Sequence, residues 1–245
     1  MNNIDKKITL FNDILLFVQS YKFKRDKINF IEKKEAVYIY SYKERIVSLS
    51  QSCSLLLDNK NYIDTQILSR SALEALFYML ALMNNQSFLK NIIKDHTKQK
   101  IKVFNDLKNN KDIALQFKIT NEKLNEYLLD LSNQIEYFND VSDMVAKEAA
   151  TMADLLNMYM SSYRLLSLAT HSKALIIQEN FSYTNGVFKF NKHQRKKLAE
   201  ISLDTLIQVL LLMSFSLVSY SGITSQKVKN TLLNFDTQYK IINKK

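Results

Sequence analysis

The chain has 245 residues, 47% hydrophobic side chains, two glycines, one cysteine, no proline, no tryptophan and a formal net charge of +10. That length buries one substantial core. With Gly186 and Gly222 as its only glycines, it lacks the turn residues of a β-sandwich or βαβ array, a phosphate-binding glycine loop and a nucleophile elbow.

The expected fold is all-α: a multi-helix bundle with long helices and one small β-hairpin near 182–190, in a single domain spanning 1–245. A first helix runs from about Ile4 to Tyr21, with Leu10, Ile14, Leu15 and Val18 on one stripe. A second covers about Asp26 to Asp58, and the Asn59-Lys60-Asn61 cluster separates it from a third at about Ile63 to Met83. Ser87 reads as the N-cap of a fourth helix reaching about Leu107. Residues 109–120 form a lysine-containing connector, followed by an amphipathic helix over roughly Asn121 to Phe138 and a break at Asn139-Asp140. Helical pattern resumes from about Ser142 to Gln178, with an interruption near Ala150-Thr151. Asn185-Gly186 between alternating aromatic and polar residues is a hairpin signal, because both turn positions tolerate positive φ. A long helix from about Lys192 to Tyr220 and a shorter one after Gly222 complete the chain.

Cys53 has an apolar helical neighbourhood and reads as a buried thiol, which fits a reducing compartment. The first residues, Met-Asn-Asn-Ile-Asp-Lys-Lys, lack the pattern of a secretory signal, so a cytoplasmic location is expected. The positive charge favours phosphate-rich partners such as RNA, although lysine abundance along the whole chain, as AT-rich codon usage would give, accounts for much of it. No residue from Thr205 to Gln226 is charged, and about 20 apolar residues suffice to cross a bilayer. Gln208, Ser214, Ser216 and Ser219 dilute the stretch, and the central helix of a bundle has the same character, so a membrane partner is not expected.

Chemistry concentrates at Arg164 and His171. Seven helical steps of about 100° place both within about 20° of each other and about 10 Å apart along the axis, with Ser167 between them. A histidine exchanges protons near neutral pH and a guanidinium binds phosphoryl oxygens whose charge grows in a transition state, which suits RNA cleavage by the RNA's own 2′-hydroxyl without a metal. On spacing alone the structural reading is the stronger: Arg164 makes a buried ion pair with an acid on a neighbouring helix and His171 satisfies a carbonyl near a helix end. Arg70 and Glu74 share a helix face at i and i+4 inside an apolar run, where charges must be paired. Glu74 either holds Arg164 or pairs with Arg70 and leaves Arg164 free.

Arg70-Ser71-x-x-Glu74 and Tyr163-Arg164-x-x-Ser167-x-x-x-His171 together resemble a family of uncharacterised bacterial all-helical proteins similar to the HEPN superfamily, over about Ile63 to Tyr220. The resemblance implies a helical bundle, a homodimer and a metal-independent endoribonuclease of toxin, antiphage or RNA-processing systems. Its Arg-x4–6-His signature maps onto Arg164 as phosphate anchor and His171 as acid/base group, meeting a second copy across the dimer interface. Arg70, Glu74, Tyr163 and Ser167 would support that site. Leu165 follows the arginine where such proteins often have a polar residue.

Lys192, His193, Arg195, Lys196 and Lys197 gather at the start of the last long helix, where cations oppose the macrodipole. A bound RNA phosphate would explain them, as would a solvated face offset by Glu200 and Asp204. His96 stands among lysines with no HExxH or ExxH partner, so neither a metal nor another cofactor is expected. The expectation is therefore an RNA-cleaving homodimer, with a regulatory partner protein compatible with a toxin role. The alternatives are a non-catalytic helical module for nucleic acid or protein and, less favoured, a membrane-active effector.

Overall fold

The structure, a computed structural model, describes residues 3–21, 34–110, 119–170, 181–184, 187–190 and 192–244. The expected start of the second helix, the stretch 171–178 with His171, and the Asn185-Gly186 turn lie outside the described residues. The helices are α1 (Asn3–Ser20), α2 (Lys34–Asp58), α3 (Tyr62–Asn84), α4 (Leu89–Asn109), α5 (Asn121–Glu136) and α6 (Ala146–Met152). A turn Leu156–Met158, a π-helical segment Tyr159–Tyr163 and an α segment Arg164–Thr170 then run on continuously and are named α7 (156–170). Strands β1 (Phe181–Thr184) and β2 (Val187–Phe190) pair antiparallel, Phe181 opposite Phe190. Helices α8 (Lys192–Tyr220) and α9 (Gln226–Asn243) follow. Among the described residues the architecture is otherwise all-α.

Two helices organise the bundle. In α3, Ala72, Leu73, Leu76, Phe77, Met79 and Leu80 are buried, a distribution too wide for one helical stripe, and the helix accordingly packs against α2, α6, α7 and α8 at once. The second, α8, is apolar on all sides: Leu203, Leu206, Ile207, Val209, Leu210, Met213 and Leu217 are buried where it meets α1, α2, α3 and α9. Its stretch Ala199–Tyr220 is long and apolar enough to cross a membrane, with mean hydropathy 1.9, and 67% of the apolar 18 residues that meet that test are buried in this fold. Helix α1 covers the bundle with a single stripe, Ile4, Leu10, Phe11, Ile14, Leu15 and Val18, and its buried Lys7 is paired with Asp204 of α8 at 2.7 Å. Cys53 is fully buried, and burial pushes its thiol up to about 12, with a bond from Ser69 opposing the shift.

Helices α4 and α5 form an outlying pair joined by stacking of Phe104 on Tyr127 at 5.6 Å. The irregular segment before α6 is tied to α4 by Asn91, which donates to the Ser142 carbonyl at 3.0 Å. Lys94 and Lys98 add ion pairs to Asp143, whose carboxyl they hold below its usual range, the Lys98 hydrogen bond being the largest influence.

Helix ends differ from expectation in instructive ways. Ser87 does not cap α4, whose N-cap position is Phe88; the capping side chain is Asn85, at the head of a 3-10 turn Gln86–Phe88, and it accepts from both the Ser87 amide and hydroxyl. The interruption expected near Ala150-Thr151 falls instead at 153–155, where Asp154 adopts φ 56°. There the Leu155 amide reaches back to the Ala150 carbonyl at 2.8 Å and Asp154 to Thr151 at 3.1 Å, the paired bonds of a Schellman stop. Lys60 ends α2 in the same way, at φ 56°. A side chain in this left-handed region costs about 1–2 kcal/mol, part of which glycine's greater unfolded-state entropy would offset. Lys60→Gly is expected to stabilise the chain by about 0.5–1 kcal/mol, read as a rise in thermal midpoint; an unchanged or lower midpoint would contradict the strain.

Candidate functional site

The charged pair on α3 faces α7. Arg70 and Glu74 are one turn apart on α3; Tyr163 and Ser167 are one turn apart on α7, so each helix offers two side chains on a single face. Arg70 spends its guanidinium on three of these groups. Its Nη1 lies 3.2 Å from Glu74 Oε2, its Nε donates to Ser167 Oγ at 3.0 Å, and its Nη2 donates to the Tyr163 hydroxyl. The Tyr163 hydroxyl donates in turn to Glu74 Oε2 at 3.2 Å, while Ser167 Oγ donates to the Tyr163 carbonyl at 2.7 Å. Glu74 Oε1 receives the Tyr78 hydroxyl at 3.1 Å. A planar fork with fixed donors is what such a three-way contact needs; a lysine has no equivalent geometry.

Aromatic packing supports the cluster. Tyr159 and Tyr163 stack at 5.0 Å, and both lie against Phe77 of α3, at 6.4 and 5.8 Å. The Arg70 Cζ also sits 4.6 Å from the Tyr163 ring centroid, within cation–π range. Burial, reinforced by the Glu74 carboxylate and opposed by Arg70, pushes the Tyr163 phenol well above its ordinary value. Burial and the same carboxylate do so for Tyr78. Both phenols remain protonated donors at neutral pH, so they position neighbours and do not exchange protons there.

The π segment Tyr159–Tyr163 ends where Arg164 begins. Single π turns recur at functional sites because they change which side chains face inward. Asn84, near the end of α3, donates to the Met152 carbonyl at 2.9 Å and so fixes the break from which α7 sets out. Arg164 itself is exposed, and among the described residues its side chain has no ion pair or hydrogen bond. The buried ion pair considered for it is thereby corrected: Glu74 pairs with Arg70. The apolar residues Met160, Leu165 and Leu168 beside it are also exposed.

Arg70, Glu74, Tyr163 and Ser167 are thus brought together, with Arg164 next to them on the solvent side. His171 lies outside the described residues. Positions 192, 195 and 196 fall in the first turns of α8, their side chains outside what is described, and Lys197 is exposed. His96 is exposed on α4. Among the described residues no group of three His, Cys, Asp or Glu side chains could hold a metal. Sequence reasoning missed Tyr78, Phe77 and Tyr159. The i, i+4, i+8 run Arg70-Glu74-Tyr78 and the i, i+4 pair Tyr159-Tyr163 were the available signals.

Fold and site together define an all-α protein in which an Arg–Glu pair on one helix grips a Tyr–Ser pair on another. The chain belongs to the DUF5677 family, a family of unknown function, whose model matches residues 36–188. That match spans Arg70, Glu74, Tyr163, Arg164, Ser167 and His171 and leaves out α1, α8 and α9. No curated protein and no solved structure is significantly similar to the chain.

Proposed function

We propose that the chain is a metal-independent endoribonuclease of HEPN type that acts as a homodimer in the cytoplasm, as a toxin or antiphage effector open to control by a partner protein. The observation that carries this reading is the division of labour between two arginines. Arg70 is engaged by Glu74, Tyr163 and Ser167, which stiffens the α3–α7 contact. Arg164, one residue beyond Tyr163, is exposed and has no such partner among the described residues. A cation held on a braced helix and open to solvent is suited to a phosphate, and electrostatic stabilisation of a phosphoryl group is what RNA cleavage demands. His171, seven residues on, would supply the proton transfers, and Lys192, Arg195, Lys196 and Lys197 a path for the RNA backbone.

The exposed Met160, Leu165 and Leu168 around Arg164 are the apolar surface a second copy would cover, and Leu165 has its place in that contact. A non-catalytic binding module is the competing reading. It is favoured by the three protein contacts of Arg70, which make the Arg70–Glu74 pair a structural link between α3 and α7 without any substrate.

Purified protein incubated with RNA in excess EDTA tests the proposal. Cleavage is expected to persist in EDTA and to leave 2′,3′-cyclic phosphate ends, because the attacking group is the RNA's own hydroxyl. Cleavage abolished by EDTA, or products with 3′-hydroxyl ends, would overturn it.

A further inference from the structure

A second constellation stands apart from the Arg70 cluster, in an open cleft of about 360 Å³ between α2 and α4. From α2 come Tyr38, Ser41, Tyr42 and Arg45, and from α4 come Ile92, Asp95, His96 and Gln99. Each set follows i, i+3, i+4, i+7 spacing, so one stripe of each helix faces the other across the gap. Met144 closes one side.

Three of these groups are chemically unspent. Among the described residues, the side chains of Arg45, Asp95 and His96 form no ion pair and no hydrogen bond, although all three line one cleft. The floor is of another kind: Ile92 is buried, Met144, Tyr38 and Tyr42 are half-buried, and the Tyr42 ring packs on Tyr78 at 5.9 Å. Burial and the nearby Asp95 carboxylate push the Tyr42 phenol upward, so it stays a hydrogen-bond donor. The cleft therefore offers flat apolar and aromatic surface below, donors from Arg45, His96 and Tyr42, and one acceptor, Asp95.

We propose that the α2–α4 cleft is a binding site for a small planar aromatic anion, its ring lying on Tyr38, Tyr42 and Met144 and its acidic group held by Arg45 and His96. The volume is at the low end of about 300–1,000 Å³ for ligand sites, enough for one ring system with its acid group and too small for a polymer. Aromatic rings gain from offset stacking on tyrosine, and a guanidinium binds carboxylate or phosphate with two parallel bonds. Asp95, on the same lining, supplies an acceptor for a ring N–H or hydroxyl and disfavours ligands with a second negative charge. A nucleoside monophosphate and an aromatic carboxylic acid share this chemistry.

Isothermal titration of the full chain with 5′-AMP, 5′-UMP and 4-hydroxybenzoate tests the site. At least one probe is expected to bind with Kd below about 1 mM; nucleotides binding alone assigns the first source, the benzoate alone the second. Arg45→Ala and His96→Ala, both at exposed positions, are expected to weaken that binding by roughly tenfold or more, and Arg164→Ala to leave it unchanged. Thermal unfolding of each variant confirms that it is folded, and Arg45→Gln replaces Arg45→Ala where it is not. No binding by any probe, equal binding by the Arg45 and His96 variants, or equal loss in Arg164→Ala would overturn the assignment. None of these readings depends on RNA cleavage, so failure here and failure of the ribonuclease reading are separate results.

Discussion

Arg70→Ala is expected to be among the most destabilising single changes in this chain, by about 2–3 kcal/mol in urea unfolding. Removing one partner of a fully buried ion pair costs about 3–5 kcal/mol, and the Arg70 and Glu74 side chains retain 20% and 27% exposure, which places the effect below that range. Without Arg70, Glu74 keeps, among the described residues, the two phenolic donors Tyr163 and Tyr78, and Ser167 loses the donor that joins it to α3. For a domain of this size each kcal/mol corresponds to about 2–4 °C in thermal midpoint. Arg70→Lys should recover less than half of the loss, because one ammonium cannot serve Glu74, Tyr163 and Ser167 in their present directions. The double change Arg70→Met with Glu74→Leu should cost less than the sum of its single changes, since neither charge is left unpaired. A loss under about 0.5 kcal/mol for Arg70→Ala, the range of ordinary surface changes, would show that the cluster does not brace α7.

What the residue pattern reveals, and what it hides, follows from the range of each interaction. The stripe of α1, the apolar run around Arg70 and Glu74 on α3 and the central place of α8 are legible because the pattern of apolar residues is a local signal. So is the pairing of Arg70 with Glu74 on one face. Which helix covers that face is not local: Tyr163 and Ser167 are about ninety positions away, and the sequence offers Arg164 as an equally good partner for Glu74 until packing selects Arg70. The helix stops were harder still. Asp154 and Lys60 adopt a left-handed conformation normally given to glycine, so the strongest stop signal is missing where two helices end. Asn85 and Ser87 both suit a cap, and only the intervening 3-10 turn decides between them. The π segment Tyr159–Tyr163 carries no residue signature at all, yet it sets the phase at which Tyr163 turns inward and Arg164 outward.

That inward–outward division gives Arg164→Ala the opposite expected profile from Arg70→Ala. Arg164 is exposed and has no partner among the described residues, so its truncation should change unfolding free energy by no more than about 0.5 kcal/mol. Under the proposed function, however, it removes the cation that meets the phosphoryl group, and RNA cleavage should fall by about 10²–10³-fold, the usual consequence of deleting one preorganised electrostatic donor. His171→Ala should fall by about 10²–10⁴-fold through lost proton transfer. Arg164→Lys keeps the charge but not the two-pronged contact, so partial activity is expected. Leu165→Glu separates the dimer from the chemistry: it adds a negative charge beside Arg164 on the exposed apolar face, and cleavage should become steeply concentration-dependent as self-association weakens. Cleavage undiminished in a folded Arg164→Ala protein would remove the ribonuclease reading. A large loss of stability in that variant would instead return Arg164 to the structural role that its exposure now argues against.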